Sequence, residues 1–257
     1  MRKITKLVLF ILISFLIPLA ALLLQIKNPD SNVDLVLFGI QAASPSIAAI
    51  AVLIFSNEVR SHFKHIFQRG HILAAIVFPF LIASITMLIS RAAYCFVFGK
   101  MFTFEKITIT KWLILLWALI AEELGWRGYL EPLLLELKIK KCILPGIVGV
   151  IWGLWHYHYF IQGRLNVPLL LFFAGCIIES YIYSILVSNT KTVLSAMIYH
   201  FSWNLMLNLL MIDPSNNDGN IIPYALVVIL ETAGLVIYIL IRKRKTSDRR
   251  EVQVLKR

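Results

Sequence analysis

Eight separate runs of about 20 apolar residues, each long enough to cross a hydrocarbon core as a helix, constrain this chain more than any other feature. They occupy residues 4–26, 33–55, 72–98, 112–137, 142–161, 169–187, 193–212 and 221–241. Composition agrees: 59% of the 257 residues are hydrophobic, 15% are charged, and the mean hydropathy is +0.80. A soluble chain sits near half apolar and a quarter charged. The reading is an all-α polytopic membrane protein, a single integral membrane domain over 1–257 with about eight transmembrane helices around an intramembrane polar cavity. The first run follows Arg2, Lys3 and Lys6 as a signal sequence does, but it is too long for a cleaved one and seven more runs follow. It reads as an uncleaved anchor.

A net charge of +11 first of all sets topology in such a chain. With both termini inside, the cytoplasmic side holds Arg2, Lys3, Lys6, Arg60, Lys64, Arg69, Lys138, Lys140, Lys141, Lys191 and eight basic residues after Ile241. The other side holds Lys27, Lys100, Lys106, Lys111 and Arg164, eighteen against five, which places both termini in the cytoplasm and calls for an even number of spans. No basic domain with interleaved aromatics remains to bind nucleic acid. Residues 57–70 carry Val59, Phe63, Ile66 and Phe67 on one helical face and read as an interfacial helix that seats the chain on the bilayer. The tail RKRKTSDRR reads as a topology signal or as a lipid-facing basic cluster. Cys95, Cys142 and Cys176, odd in number and without CxxC spacing, read as packing residues.

Ionisable groups inside apolar spans are costly unless paired or facing a cavity, so each marks a functional hypothesis. The fourth run holds Glu122, Glu123 and Arg127 in AEELGWRGYLEP, the fifth His156 and His158 in WGLWHYHYF, and the seventh His200 and Asn204 in YHFSWN. Glu123 and Arg127 are four apart and can pair on one helical face, as a structural ion pair, while Glu122 points about 100° away and is the freer carboxylate. His200 and Asn204 are likewise four apart. At about 1.5 Å per residue, Glu122, His156, His200 and Asn204 all fall in the middle reaches of their spans and can converge. Arg91, His158 and Glu179 read as structural or interfacial, with Glu179 as a partner for Arg91 or either one lining the cavity.

A carboxylate and an imidazole in a secluded site can take a proton from water and return it to a leaving amine. A second imidazole and an amide can donate to a developing oxyanion. These motifs hold no evident Ser or Cys nucleophile, so water-mediated peptide hydrolysis is the natural chemistry. The zinc-protease motif HExxH is absent from the sequence. Glu122, His156 and His200 still make a His-His-Glu set of the kind catalytic zinc accepts, so zinc stays a possible cofactor.

The ordered set EExxxR at Glu122–Arg127, aromatic-xxx-His at Trp152–His156 and HxxxN at His200–Asn204 resembles the CAAX-protease and bacteriocin-processing (CPBP, or Abi) family of intramembrane proteases. The similarity covers 112–210, the catalytic core. The resemblance implies that Glu122 and His156 activate water, that His200 and Asn204 form the oxyanion hole, and that Glu123 and Arg127 support the site. Two positions depart from the family pattern: Trp152 stands where Phe is frequent, and His158 where a small residue or proline is common. The implied substrate is a membrane-associated peptide or protein in contact with the bilayer, and the implied setting a bacterial cell membrane. Nothing in the sequence fixes an oligomeric state or the substrate. The competing reading is a non-catalytic bacteriocin-immunity or scaffolding protein of the same fold. A proton-coupled transporter fits less well, since matching repeated halves are not visible.

The charge bias makes a direct prediction. In a background without native cysteines, single cysteines in loop 213–220 should react with an impermeant reagent from outside, and cysteines in the tail should not. External labelling of the tail would overturn the cytoplasmic assignment of the termini.

Overall fold

The computed structural model describes residues 1–27, 31–67 and 70–255, and every regular element among them is helical. In chain order these are α1 (Lys3–Lys27), α2 (Ser31–Ser56), α3 (Val59–Ile66), α4 (Ile72–Phe98), α5 (Ile109–Ala121), α6 (Glu123–Gly125), a π-helical segment (Trp126–Leu130), α7 (Glu131–Glu136), α8 (Leu144–Trp155), α9 (Tyr157–Ile161), α10 (Leu169–Thr190), α11 (Leu194–Leu209), a 3₁₀ turn (Pro214–Asn216) and α12 (Ile222–Leu255).

Five of these helices are long and apolar enough to cross a membrane: Lys3–Ile26, Val33–Ser56, Ile72–Phe98, Leu169–Thr190 and Ile222–Arg244. The other three of the eight expected spans do not appear as single helices of that length, and the reason is local. The fourth run is interrupted at Glu122, where α5 stops and α6, the π segment and α7 follow as separate pieces. The fifth is interrupted at His156, between the 12-residue α8 and the five-residue α9. The seventh is α11, whose 16 residues fall short of the roughly 20 that a crossing needs. All three interrupted or short runs carry the polar motifs.

Interhelical polar bonds fasten these elements. Among buried groups, Trp155 Nε1 donates to the Ser14 carbonyl at 3.1 Å and to Ser44 Oγ at 2.9 Å, so α1, α2 and α8 meet at one point. Ser44 Oγ in turn donates to the Ser14 carbonyl at 3.0 Å. Ser46 Oγ donates to the Ile120 carbonyl at 2.9 Å, holding the end of α5 on α2 just before the break at Glu122. α4 packs against α11 and α12, and α8 against α10.

The amphipathic segment forms α3, whose apolar face is shared: Ile66 is buried in the protein, Val59 and Phe63 are partly buried, and Phe67 is exposed. Ile66 is buried against Val193 and Met197, and Val59 and Phe63 pack on the main core. The Ile66 carbonyl accepts from the Val193 backbone N–H at 3.2 Å, so α3 is tied to the start of α11. Arg69, counted with this segment, lies outside the described residues, as do the side chains of the tail from residue 245 onward. Cys95 and Cys176 are buried as expected of packing residues, whereas Cys142 is exposed; all three are free thiols.

Two close approaches depend on glycine. A Cβ at Gly149 would lie 2.7 Å from the Ile177 Cα, which lets α8 press on α10. A Cβ at Gly125 would run into the Pro45 backbone. Gly125→Ala should therefore force α6 away from α2 and lower stability by about 1–3 kcal/mol or more. Gly234→Ala, where open space surrounds the added methyl, should leave it nearly unchanged. Thermal unfolding in detergent checks both, and equal stability of the two variants would contradict the packing described.

Candidate active site

Glu122 stands at the junction where α5 ends, with a backbone (φ −113°, ψ −46°) that departs from the helix before it. The next four residues turn through α6 into a π segment, a widened turn that occurs often at functional sites. This local geometry presents two adjacent carboxylates to different partners.

Glu123 is wholly buried and bound on two sides. Arg127 Nη1 donates to both of its carboxylate oxygens, at 3.0 and 3.1 Å, the pairing that the four-residue spacing allows. His200 Nδ1 lies 2.8 Å from Oε1 of the same carboxylate. A carboxylate oxygen only accepts, so the ring hydrogen sits on Nδ1 and His200 is turned with Nε2 toward Glu122 Oε1, 3.8 Å away. Arg127 is further fixed by donating from Nη2 to Ser180 Oγ at 2.9 Å on α10, and its guanidinium lies 4.1 Å from the Tyr183 ring centroid and 4.9 Å from that of Trp152. A desolvated guanidinium over two aromatic faces gains cation–π attraction on top of its ion pair.

Trp152 Nε1 donates to Glu122 Oε2 at 2.7 Å. The same residue's carbonyl receives His156 Nδ1–H at 2.8 Å, which leaves Nε2 of a neutral His156 ring as a lone pair. Trp152 therefore orients both a carboxylate and an imidazole. Glu122, Trp152, His156, His200 and Asn204 all line one pocket of about 250 Å³, together with Glu179 and the aromatic rings of Tyr159, Tyr183, Trp203 and Tyr224. The Asn204 side chain makes no hydrogen bond among the described residues, while its carbonyl accepts from Asn208 Nδ2 at 2.9 Å. Ile114 and Trp117 of α5 and Phe38 and Ala42 of α2 complete an apolar side of the pocket.

The remaining polar candidates take distinct places. Of the two alternatives for Arg91 and Glu179, pairing is not found: Arg91 donates to the Met211 carbonyl and to Asn217 Oδ1 at 3.5 and 3.3 Å, while Glu179 lines the pocket. His158 has the structural place read for it, buried against the Trp155 and Tyr159 rings with Nδ1–H donating to the Trp155 carbonyl at 2.9 Å. Among the described residues no group of three His, Cys, Asp or Glu stands ready to hold a metal ion, so Glu122, His156 and His200 share a pocket without forming an assembled ligand set. Trp152, Ser180 and Tyr183 are the participants that sequence reading missed as partners. Trp152 lies 30 residues from Glu122, and Ser180 and Tyr183 lie 53 and 56 from Arg127; only an indole N–H in mid-span gave any signal, since such a donor needs a partner when buried.

Residues 104–206, which contain all three motifs, match the family model described as type II CAAX prenyl endopeptidase Rce1-like. A CAAX prenyl protease 2 from Methanococcus maripaludis is 31% identical over 158 residues, covering 56% of this chain and 55% of that protein. The chain thus spans about half the length of the curated relative it matches. Both matches carry the name of CAAX prenyl proteases.

The double use of Glu123 makes a stability prediction. Arg127→Ala removes the guanidinium that donates to both oxygens of a wholly buried carboxylate, a change that typically costs about 3–5 kcal/mol. Glu122→Gln keeps a side chain able to accept from Trp152 and should leave the fold nearly intact. Thermal unfolding of the two variants in detergent measures the difference. A fully stable Arg127→Ala protein would show that Arg127 is not needed to hold the site together.

Proposed function

We propose that the chain is an intramembrane endopeptidase that hydrolyses a peptide bond of a membrane-associated peptide or protein, with water activated by Glu122 and His156. The observation that supports this reading most is the arrival of an acid, two imidazoles and an amide from three separate segments on one pocket. Packing alone does not call for four such groups on one cavity. The apolar side of the pocket, from α2 and α5, suits a chain delivered from the bilayer. The five long helices and the three interrupted or short runs read together as the eight-helix arrangement, with residues 112–210 as its catalytic core.

In the proposed reaction a water molecule sits between Glu122 and the Nε2 lone pair of His156. Glu122 takes one proton as the water oxygen bonds to the substrate carbonyl carbon, and His156 holds the second hydrogen. His200, carrying a hydrogen on each ring nitrogen, donates Nδ1–H to Glu123 and Nε2–H to the developing oxyanion. Asn204 donates its amide N–H to the same oxygen. The C–N bond then breaks, and the proton on Glu122 passes to the leaving nitrogen. Glu123 and Arg127 act by holding His200 and the π segment in place. No step is routed through a metal, because the donor atoms do not form a ready ligand set. The printed names of the family and of the Methanococcus maripaludis protein refer to CAAX prenyl substrates, which makes a prenylated C-terminal peptide the first substrate to try.

A donor aimed at the oxyanion matters more in the transition state than in substrate binding. Asn204→Ala should lower kcat by about 100- to 1,000-fold with little change in KM, measured as cleavage of a fluorogenic membrane peptide by protein confirmed as folded. Asn204→Asp should be at least as damaging, because an anion would face the developing charge. Near-normal kcat in Asn204→Ala would leave the amide as a helix-packing group. In the same assay the intact protein should keep its activity after exhaustive chelation. Loss that added zinc restores would instead assign a metal-assisted mechanism.

A further inference from the structure

A second and larger groove, of about 1200 Å³, lies between the end of α7, the start of α8, the second half of α10 and α12. It shares no lining residue with the Glu122 pocket. Its walls are aliphatic, with Leu144, Ile185, Leu235 and Ile239 facing the space. At one end it gathers Lys141 from the loop before α8, Lys191 from the end of α10, and Arg242 and Lys243 from α12. Among the described residues one carboxylate lines the groove beside these cations, Glu131, and that group already accepts from Ser184 Oγ at 2.9 Å. The groove is also preformed. Tyr181 OH donates to the Cys142 carbonyl at 2.8 Å and locks α10 to the entry of α8, and Lys191 ends α10 in a left-handed conformation (φ 62°) that fixes its position.

Each feature selects among occupants. A free anion would use the cations and leave the aliphatic walls against lipid or water. A neutral lipid would cover the walls and offer no counter-charge to Lys141, Lys191 and Lys243. An amphiphile with an anionic head and hydrocarbon tails satisfies both parts, and basic pockets between membrane helices are the usual seats of such head groups. We propose that this groove binds an anionic phospholipid, its phosphate among Lys141, Lys191, Arg242 and Lys243 and an acyl chain along Leu144, Ile185, Leu235 and Ile239. The site is independent of the proteolytic chemistry. It does touch the same framework, because Glu131–Ser184 lies one helical turn from Arg127–Ser180 on the same pair of facing segments. An occupant there braces α7 against α10 beside the catalytic turn.

The test is native mass spectrometry of the full chain purified in detergent and offered phosphatidylglycerol or phosphatidylcholine. The intact protein should retain phosphatidylglycerol in preference to phosphatidylcholine, and millimolar inorganic phosphate should not displace it. K191Q/K243Q should weaken retention about tenfold or more, whereas the charge-matched K138Q/K140Q, outside the groove, should not. Leu235→Trp, which fills the apolar part with every cation kept, should also reduce retention, and it carries the test should K191Q/K243Q fail to fold. Equal retention of the two lipids, displacement by phosphate, undiminished binding in folded K191Q/K243Q or Leu235→Trp, or an equal loss in K138Q/K140Q would each overturn the proposal.

Discussion

The arrangement rests on one buried carboxylate. Glu123 has no contact with solvent, and it is held by Arg127 Nη1, which donates to both its oxygens from the same turn, and by His200, 77 residues further along the chain. A charge in that position is tolerable only while both sides are occupied. Because Arg127 also reaches Ser180 and two aromatic faces, the same ion pair positions the π segment on α10. His200 is thereby aimed at Glu122, and the rest of the pocket is assembled around that orientation. Glu123 does not need to touch a substrate to matter; without it the imidazole on α11 loses the acceptor for its Nδ1 hydrogen.

The second constraint is the conflict between crossing a bilayer and presenting chemistry inside it. A continuous helix keeps its backbone satisfied but spreads consecutive side chains around its circumference. Here the chain gives up continuity at Glu122 and at His156, the two residues assigned to water activation, and the five long apolar helices stand apart from the interrupted runs. Irregular backbone at depth is tolerated where protein encloses it. Ser46 on the Ile120 carbonyl and Trp152 on the Glu122 side chain supply that enclosure.

What was legible in the sequence was the set of residues with no place in an apolar span. Glu122, Glu123, Arg127, His156, His200 and Asn204 stand out by type and spacing, and the helical class follows from run length. The breaks were not legible, because neither AEELGW before the π segment nor LWHYHY around His156 contains a proline, and the apolar pattern runs through both. Partners were hidden for a different reason. Spacing reports neighbours within one helix, as for Glu123 and Arg127, but is silent on Trp152 with Glu122 or His200 with Glu123, which meet only through packing. Charge alone also left two readings of Arg91 and Glu179 open, and packing decides between them: Arg91 is used by the loop after α11 and Glu179 lines the pocket. Amphipathicity was similarly ambiguous, since the apolar stripe of α3 suits a membrane surface and a protein core equally well: Ile66 packs on the start of α11, Val59 and Phe63 on the main core, and Phe67 stays exposed.

The central claim is that Glu122 performs chemistry and is not merely a buried polar residue in a scaffold. Terminal-peptide mass spectrometry of membranes from cells carrying either the intact chain or Glu122→Gln, at matched levels of folded protein, tests it most directly. The account predicts cleaved termini with the intact chain that are lost in the variant. The same set of termini in both, or no new termini with the intact chain, would contradict it and favour a non-catalytic membrane protein built on the same fold.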